Sequence, residues 1–278
     1  MNIIETKKLF FKYEDNIALD NINISFEKGK TTAVLGGNGA GKSTLFLNIN
    51  GVLKPKSGEI LFNGEKISYT KEGIKNIRGE IGIVFQDPDD QVFSASVKKD
   101  IAFGPYNLGL SKEEIEKRVE KAMIETGIKH LENKPVHALS FGQKKRVAIA
   151  GILVMEPKVI ILDEPTAGLD PKGVSEILSL LNKIKKEKDV TLIIATHEID
   201  IVPVYCDRAL ILNSGKAVFE GSVEEMFKNP NLLRENNLRL PRIEHLMEIL
   251  NKKDNINVNP TASTISKARE TIKSLLGM

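Results

Sequence analysis

Residues 36–44 read Gly36-Gly37-Asn38-Gly39-Ala40-Gly41-Lys42-Ser43-Thr44. They match the pattern G-x-x-x-x-G-K-[ST], and they lie between an apolar stretch typical of a buried strand, residues 31–35, and a stretch typical of a helix, residues 42–50. Glycines allow backbone N–H groups to curl around phosphates, and the N-terminus of a helix adds its positive dipole end. The segment therefore predicts an α/β fold with a phosphate-binding loop. A glycine turn without a ligand is the alternative, and the flanking strand and helix argue against it.

Two side chains of this loop have further chemistry. We expect Lys42 to reach the β- and γ-phosphates of ATP as a catalytic cation, and the hydroxyl of Ser43 to ligate Mg²⁺. All nine residues from Gly36 to Thr44 are candidate contacts of the nucleotide. The predicted cofactors are thus ATP and Mg²⁺.

A second apolar strand, residues 159–162, ends in two adjacent carboxylates, Asp163 and Glu164. We expect Asp163 to hold Mg²⁺ directly or through water. Glu164 is placed to polarise the attacking water as a general base. Most Asp-Glu pairs are surface charges, but this pair follows a phosphate loop in the order that nucleotide hydrolysis requires.

Between these segments lies Leu139-Ser140-Phe141-Gly142-Gln143. Ser140 and Gln143 form a capping box, which predicts that a helix begins here with its N-terminus directed at whatever lies beyond Ser140. A phosphate suits that place electrostatically. The segment resembles the LSGGQ signature of the ABC ATPase family and differs from it only at Phe141. A plain capped helix is the alternative.

The resemblance covers about residues 1–230 and implies a P-loop NTPase fold with a RecA-like core, an antiparallel β subdomain and a helical subdomain at about residues 87–155. In the family, the signature closes over the ATP of a second subunit. The resemblance therefore implies that Ser140, Gly142 and Gln143 bind nucleotide across a homo- or heterodimer.

Three more residues receive roles from the resemblance. Gln86 is similar to the glutamine that senses Mg²⁺ and the attacking water, so it counts as both a catalytic and a metal-ligand candidate. His197 resembles the switch histidine that contacts the γ-phosphate, and residues 167–170 resemble the segment that contacts the other subunit. Tyr13 resembles the aromatic residue that stacks on adenine, although this ring, like its neighbours Phe10 and Phe11, could instead belong to the core.

Residues 84–109 and 137–151 resemble the energy-coupling-factor group of this family, which includes cobalt-importer ATPases. That resemblance implies a transmembrane T component and a substrate-binding membrane subunit as partners, with residues 87–92 as the coupling surface. An exposed loop is the alternative for residues 87–92. Cobalt is the first choice of cargo, nickel or a B vitamin is the second, and another ABC importer class stays open.

After residue 230 the composition changes. Apolar residues at helical spacing predict two amphipathic helices within residues 231–278, a small C-terminal extension. Group members carry a helical extension that helps to pair two ATPases. The extension is therefore either a dimer surface or a unit that packs on its own domain.

The composition excludes several other functions. The chain has 278 residues with 40 basic and 37 acidic side chains, a net charge of +3 that gives no reason to expect a nucleic-acid partner. Its apolar runs are far shorter than the roughly 20 residues that span a bilayer. The chain is therefore not expected to cross a membrane unaided, and the resemblance to importer ATPases implies a peripheral protein at the cytoplasmic face of the cell membrane.

Two rival classes fit less well. ABC ATPases of DNA repair insert long coiled coils between the ATP motifs, where this chain has only residues 87–138, and those of translation fuse two ATPase domains. A nucleotide-binding module without activity is disfavoured because Glu164 and His197 are both present.

Overall fold

Two β-sheets and a set of helices make up residues 1–277, the part of the chain that the computed structural model describes. The strands are β1 (Asn2–Tyr13), β2 (Asn16–Glu27), β3 (Thr31–Leu35), β4 (Ser57–Phe62), β5 (Glu65–Lys66), β6 (Ile81–Val84), β7 (Val159–Asp163), β8 (Thr191–Ala195), β9 (Arg208–Asn213) and β10 (Lys216–Ser222). The helices are α1 (Lys42–Ile49), α2 (Lys71–Glu80), α3 (Val97–Leu108), α4 (Lys112–Glu125), α5 (Phe141–Leu153), α6 (Pro171–Lys188), α7 (Val202–Tyr205), α8 (Val223–Phe227), α9 (Pro230–Glu235), α10 (Arg242–Lys252) and α11 (Ile265–Leu275).

The larger sheet has the strand order β10-β9-β3-β8-β7-β6. The five strands from β9 to β6 run parallel, and β10 pairs antiparallel with β9 at the edge. The smaller sheet is antiparallel, with the order β2-β1-β4-β5. The predicted strand and helix that flank the phosphate loop are confirmed as β3 and α1.

The register of the parallel strands brings three chain segments to one edge of the sheet. Ala195 of β8 pairs with Val34 of β3 on one side and with Asp163 of β7 on the other. Because parallel strands all end at the same edge, the loops after β3, β7 and β8 leave the sheet side by side. This edge carries the candidate site.

Alternate residues of the central strands enter two separate cores, as expected where helices and strands cover both faces of a sheet. On β7, Val159 and Ile161 pack with the antiparallel sheet and α1. Ile160 and Leu162 pack with the helices of the opposite face. Covering on both faces explains why these strands read as continuous apolar runs in the sequence.

Helices α3, α4 and α5 lie between β6 and β7 in the chain and pack against one another. Each begins at a serine whose side chain accepts a hydrogen bond from the backbone three residues on; these serines are Ser96, Ser111 and Ser140. The predicted capping box at Ser140 is present, and a second one, formed by Ser222 and Glu225, begins α8.

The last part of the chain packs in two places. Leu233 and Leu240 are buried in the core that contains β3 and β9. Helices α10 and α11 instead share a small cluster centred on Met247 and Ala268. Glu244 of α10 is fully buried, and neither carboxylate oxygen has a hydrogen-bond partner among the described residues.

Candidate active site

The loop between β3 and α1 is shaped by glycines that no other residue could replace without strain. Gly36 has φ 147° and Gly41 has φ 104°, both in the region that favours glycine. A Cβ on Gly36 would lie 2.3 Å from the carbonyl oxygen of Leu212, and one on Gly41 would lie 2.5 Å from that of Ala18. The loop is therefore fitted closely between β2 and β9.

Lys42 is buried at the first turn of α1, with only 8% of its surface exposed. Its Nζ donates to the carbonyl oxygens of Gly36 and Gly37 at 2.7 and 3.1 Å. Burial lowers the pKa of Lys42, and the carboxylates of Glu164 and Asp163 oppose that shift. The ammonium thus lies folded against the loop, where phosphates would be held.

The two predicted magnesium ligands meet. The hydroxyl of Ser43 donates to Oδ2 of Asp163 at 2.8 Å, which joins the loop after β3 to the end of β7. Gln86, the third candidate, lines the same cavity of about 340 Å³ as Ser43 and Asp163. Hydroxyl, carboxylate and amide oxygens are the hard donors that Mg²⁺ prefers, so the residues present fit that ion.

Glu164 follows Asp163 and is held in the left-handed region at φ 48°. Its backbone N–H donates to Ala195, and its Oε2 accepts from the backbone N–H of His197 at 3.2 Å. The imidazole Nε2 of His197 lies 3.1 Å from the other oxygen, Oε1. Burial raises the pKa of Glu164, and His197 partly offsets the rise. A buried carboxylate with a raised pKa is suited to accept a proton.

Ser140, Gly142 and Gln143 lie at the N-terminus of α5. Ser140 Oγ accepts from the backbone of Gln143, and the Gln143 side chain accepts from the backbone of Ser140. Among the described residues, no hydrogen bond or ion pair joins these three to residues 36–44. The structure therefore brings together the loop, Asp163, Glu164 and His197, but it does not add the signature residues to that group.

Tyr13 lies at the end of β1, beside the C-terminal end of the loop. The residue is 46% exposed, and its hydroxyl is 3.4 Å from Oγ1 of Thr44. Phe11 is buried and meets Tyr13 edge to face at 5.0 Å. Of these two rings, only that of Tyr13 is exposed enough for adenine to stack on it.

Lys145, on α5, is a site neighbour that the sequence reasoning missed. It is 2% exposed and donates to the backbone carbonyl oxygens of Glu164 and Pro165. A signal was present, because Lys145 lies three and four positions before the apolar Ala148 and Ile149 and hence on the buried face of the helix.

A second, larger cavity of about 740 Å³ lies between α2, β6, α3 and α5, on the side of the segment 87–92. Exposed rings line it: Phe93 is 65% exposed and Phe103 is 51% exposed, and the two meet edge to face at 5.1 Å. Asp89, in the segment 87–92, pairs with Lys144 of α5 at 2.5 Å. This groove is the other candidate contact surface of the molecule.

The strand–loop–helix junction and the carboxylates at the end of the neighbouring parallel strand define a P-loop NTPase. The family model described as ABC transporter matches residues 19–167, more than half of the chain. The energy-coupling factor transporter ATP-binding protein EcfA2 of Clostridium perfringens is 56% identical over 273 residues, which cover 98% of this chain and 96% of the relative. The protein EcfA of Methanocaldococcus jannaschii is 53% identical over 277 residues, 99% of each chain.

Solved structures agree with these relatives. The structure of CbiO1 from Clostridium perfringens, described as part of the ABC transporter complex CbiONQ, is 57% identical and has a TM-score of 0.77 over 89% of this chain and 99% of that one. An ATP-binding cassette solved as a dimer in a post-hydrolysis state with ADP and phosphate is 28% identical, with a TM-score of 0.71 over 79% of this chain and 98% of that one.

The chain therefore belongs to the ABC transporter family, and within it to the energy-coupling-factor transporter ATP-binding proteins. It is an ATP-binding and ATP-hydrolysing transporter subunit, and the predicted fold class is confirmed. Across residues 1–277, no helix is both long and apolar enough to span a bilayer.

Proposed function

We propose that this chain hydrolyses Mg-ATP to power the uptake of cobalt ions by an energy-coupling-factor importer. The contact of Ser43 with Asp163, next to the buried Glu164, carries the catalytic part of the proposal, because it gathers loop, metal ligand and base at one sheet edge. The resemblance of residues 84–109 to cobalt-importer ATPases and the similarity to CbiO1 support cobalt as the cargo.

ATP binds along residues 36–44, whose backbone N–H groups surround its phosphates. The ammonium of Lys42 exchanges the loop carbonyls for the β- and γ-phosphate oxygens. Tyr13 stacks on the adenine from the exposed side. Ser43, Asp163 and Gln86 would hold Mg²⁺, which would neutralise charge on the β- and γ-phosphates.

Hydrolysis uses Glu164 as the general base and His197 as a γ-phosphate contact. The buried carboxylate accepts a proton from water as the water oxygen bonds to the γ-phosphorus and the bond between that phosphorus and the bridging oxygen breaks, with ADP as the leaving group. Its backbone bond to His197 keeps the carboxylate directed at the sheet edge where Lys42 and Asp163 lie. The imidazole of His197, whose Nε2 lies 3.1 Å from Oε1 of Glu164, is the group that we assign to the γ-phosphate.

Two such subunits, identical or different, form the working unit. Ser140, Gly142 and Gln143 stand at a helix N-terminus with no bond to their own loop among the described residues. That terminus favours an anion, so the γ-phosphate bound by the second subunit is its proposed ligand. The dimeric post-hydrolysis relative supports this arrangement.

The membrane subunits dock on the groove beside residues 87–92. Its exposed rings, Phe93 and Phe103, offer apolar contacts. In the adjoining segment 87–92, Asp89 is paired with Lys144, whereas the exposed Asp90 adds a negative charge. Such a surface fits an amphipathic helix that carries basic residues. We assign it to a transmembrane T component, with a substrate-binding membrane subunit completing the importer, and we place this chain peripherally at the cytoplasmic face of the membrane.

For the domains, we propose residues 1–230 as the ATPase domain, with its helical subdomain at about residues 87–155, and residues 231–278 as the extension. Several apolar side chains of the extension are exposed: Leu246, Ile265, Ile272 and Leu275. These exposed side chains support a role of α10 and α11 in pairing two ATPase subunits.

The proposal is tested by reconstituting the chain with its membrane subunits in liposomes and measuring uptake of labelled Co²⁺. Uptake should require ATP on the side of the membrane where this subunit lies, and it should be lost in the Glu164→Gln variant. Cobalt uptake that is absent, while labelled nickel or a B vitamin enters with ATP, would overturn cobalt and leave the motor role intact. A lack of any ATP-dependent uptake would overturn the importer role.

A further inference from the structure

Lys145 is a buried cation for which the mechanism above has no task. It is 2% exposed, and its Nζ donates to the carbonyl oxygens of Glu164 and Pro165 at 3.0 Å each. Within residues 1–277 no carboxylate oxygen lies within ion-pair distance of it. Its ligands are therefore two successive peptide groups of the turn that carries the general base.

That turn holds an unfavourable conformation. Glu164 has φ 48°, a region that residues with side chains avoid. Its carbonyl oxygen also accepts from the N–H of Ala167, and its own N–H donates to Ala195, both at 3.1 Å. Without Lys145 the buried carbonyl of Pro165 would lose the donor that the structure gives it.

The ring of Phe141 covers the ammonium group of Lys145. The ring centroid lies 5.3 Å from Nζ of Lys145, a cation–π distance. The ring also packs on the backbone of Gly168, where an added Cβ would come within 2.8 Å of it. Burial in this setting lowers the pKa of Lys145 to about 8. An apolar side chain would be easier to bury, so the distinctive contribution of this lysine is its pair of bonds to the turn.

We propose that Lys145 is a positioning residue for ATP hydrolysis: by holding the carbonyl groups of Glu164 and Pro165, it fixes the direction in which the Glu164 carboxylate points. The inference rests on the proposed role of Glu164 as the general base. Loss of the two bonds lets the turn relax and moves the carboxylate away from the attacking water, while the phosphate loop that binds ATP stays in place.

The test compares kcat and KM of the full-length chain carrying Lys145→Met, Glu164→Gln or both, using single-turnover release of labelled phosphate. Lys145→Met should lower the hydrolysis rate by about 10- to 100-fold, the range expected for a catalytic group displaced by about 1 Å, with the KM for ATP within about twofold of wild type. In the Glu164→Gln background it should have no further effect, because a residue that acts only through the base has nothing left to position.

Two further variants separate positioning from general stability. Lys145→Arg keeps donors for both carbonyls and should recover part of the rate. Lys188→Met is the matched control, because Lys188 is also largely buried, with 19% of its side chain exposed, but pairs with Glu125 on α4 instead. It should keep the wild-type rate. If Lys145→Met does not fold, Lys145→Gln, which is too short to reach both carbonyls, takes its place.

The inference is overturned by a wild-type rate in Lys145→Met, by a loss that adds in full to that of Glu164→Gln, or by a change in KM alone. Undiminished hydrolysis by Glu164→Gln is a different failure, since it removes the base itself. The two failures are therefore distinguishable.

Discussion

His197 contacts Glu164 twice, once with its backbone and once with its side chain. The peptide N–H donates to Oε2 at 3.2 Å, and Nε2 of the imidazole lies 3.1 Å from Oε1. The two residues are 33 positions apart in the chain but follow the ends of the neighbouring strands β7 and β8. The first contact needs only a backbone N–H, which every residue except proline has, and the second needs the imidazole, so substitutions at His197 can separate the two contacts.

Replacing Glu164 with Gln should remove the general base while retaining ATP binding. A positioned base contributes typically 10²–10⁴-fold, so we expect hydrolysis to fall by about that factor. The variant should then accumulate as an ATP-bound dimer, detectable by size-exclusion chromatography with ATP. Hydrolysis at the wild-type rate would show that another group takes the proton.

The pH dependence of hydrolysis should reflect the environment of Glu164. Burial raises the pKa of Glu164. As the solution is acidified, Glu164 is therefore protonated, and stops acting as a base, at a higher pH than an ordinary carboxyl group. His197 opposes that rise. In the His197→Ala variant the pKa of Glu164 should therefore rise further, and the acidic limb of the profile for kcat/KM should move to higher pH.

His197→Gln is the control for this shift, because it keeps a polar side chain but removes the titratable imidazole. It should move the acidic limb in the same direction as His197→Ala. An acidic limb that stays fixed in both variants would mean that the imidazole does not influence the carboxyl group.

Tyr13 should affect nucleotide affinity more than turnover. Stacking of a base on an aromatic ring is worth about 1–3 kcal/mol, so Tyr13→Ala should raise the KM for ATP by roughly 5- to 150-fold with kcat little changed. Tyr13→Phe keeps the ring and loses only the hydroxyl near Thr44, and it should behave like wild type. Equal effects of the two variants would assign the role to the hydroxyl instead of the ring.

Glu244 should make the chain less stable as the pH rises. Burial and the neighbouring Glu248 raise the pKa of Glu244 to about 8 from an ordinary value of 4.5. Folding therefore favours the protonated form: the cost of the buried charge is absent below about pH 4.5, grows with pH, and levels off above pH 8. The Tm of Glu244→Gln, relative to wild type, should rise between pH 5 and pH 8.

The matched control for this effect is Glu224→Gln, which removes an exposed carboxylate that pairs with Lys228. Its Tm difference from wild type should show no such rise with pH. A pH-independent difference for Glu244→Gln would mean that the carboxyl group is not titrating in the folded protein.

Much of this architecture is readable in the sequence because its signals are local. The loop at residues 36–44 has a glycine wherever the backbone needs one, and β7 reads as apolar because both its faces are covered. The order of these motifs also predicts the neighbours of the site, and the contact of Ser43 with Asp163 joins two of them.

Other features depend on contacts between distant segments and leave little local signal. Helix α2 was not predicted, because it has few apolar residues, chiefly Ile74 and Ile77, and contains two glycines, at positions 73 and 79. The spacing of Lys145 from Ala148 and Ile149 puts it on the buried face of α5, but that spacing does not identify its partners, the carbonyl oxygens of Glu164 and Pro165. The packing of α5 against the turn after β7 gives Lys145 those partners, whereas the neighbouring Lys144 pairs with the exposed Asp89.

The groups at the shared sheet edge keep their spacing whatever chain connects the strands. The spacing of the loop after β3, the carboxylates after β7 and the histidine after β8 is set by strand pairing, at about 4.8 Å per strand, and by no property of the chain that connects them. The connection from β6 to β7 holds all of α3, α4 and α5. Insertions into its surface turns, or exchange of its outer helices for others, would therefore leave the groups of the site in register while changing the groove that we propose for the membrane partner.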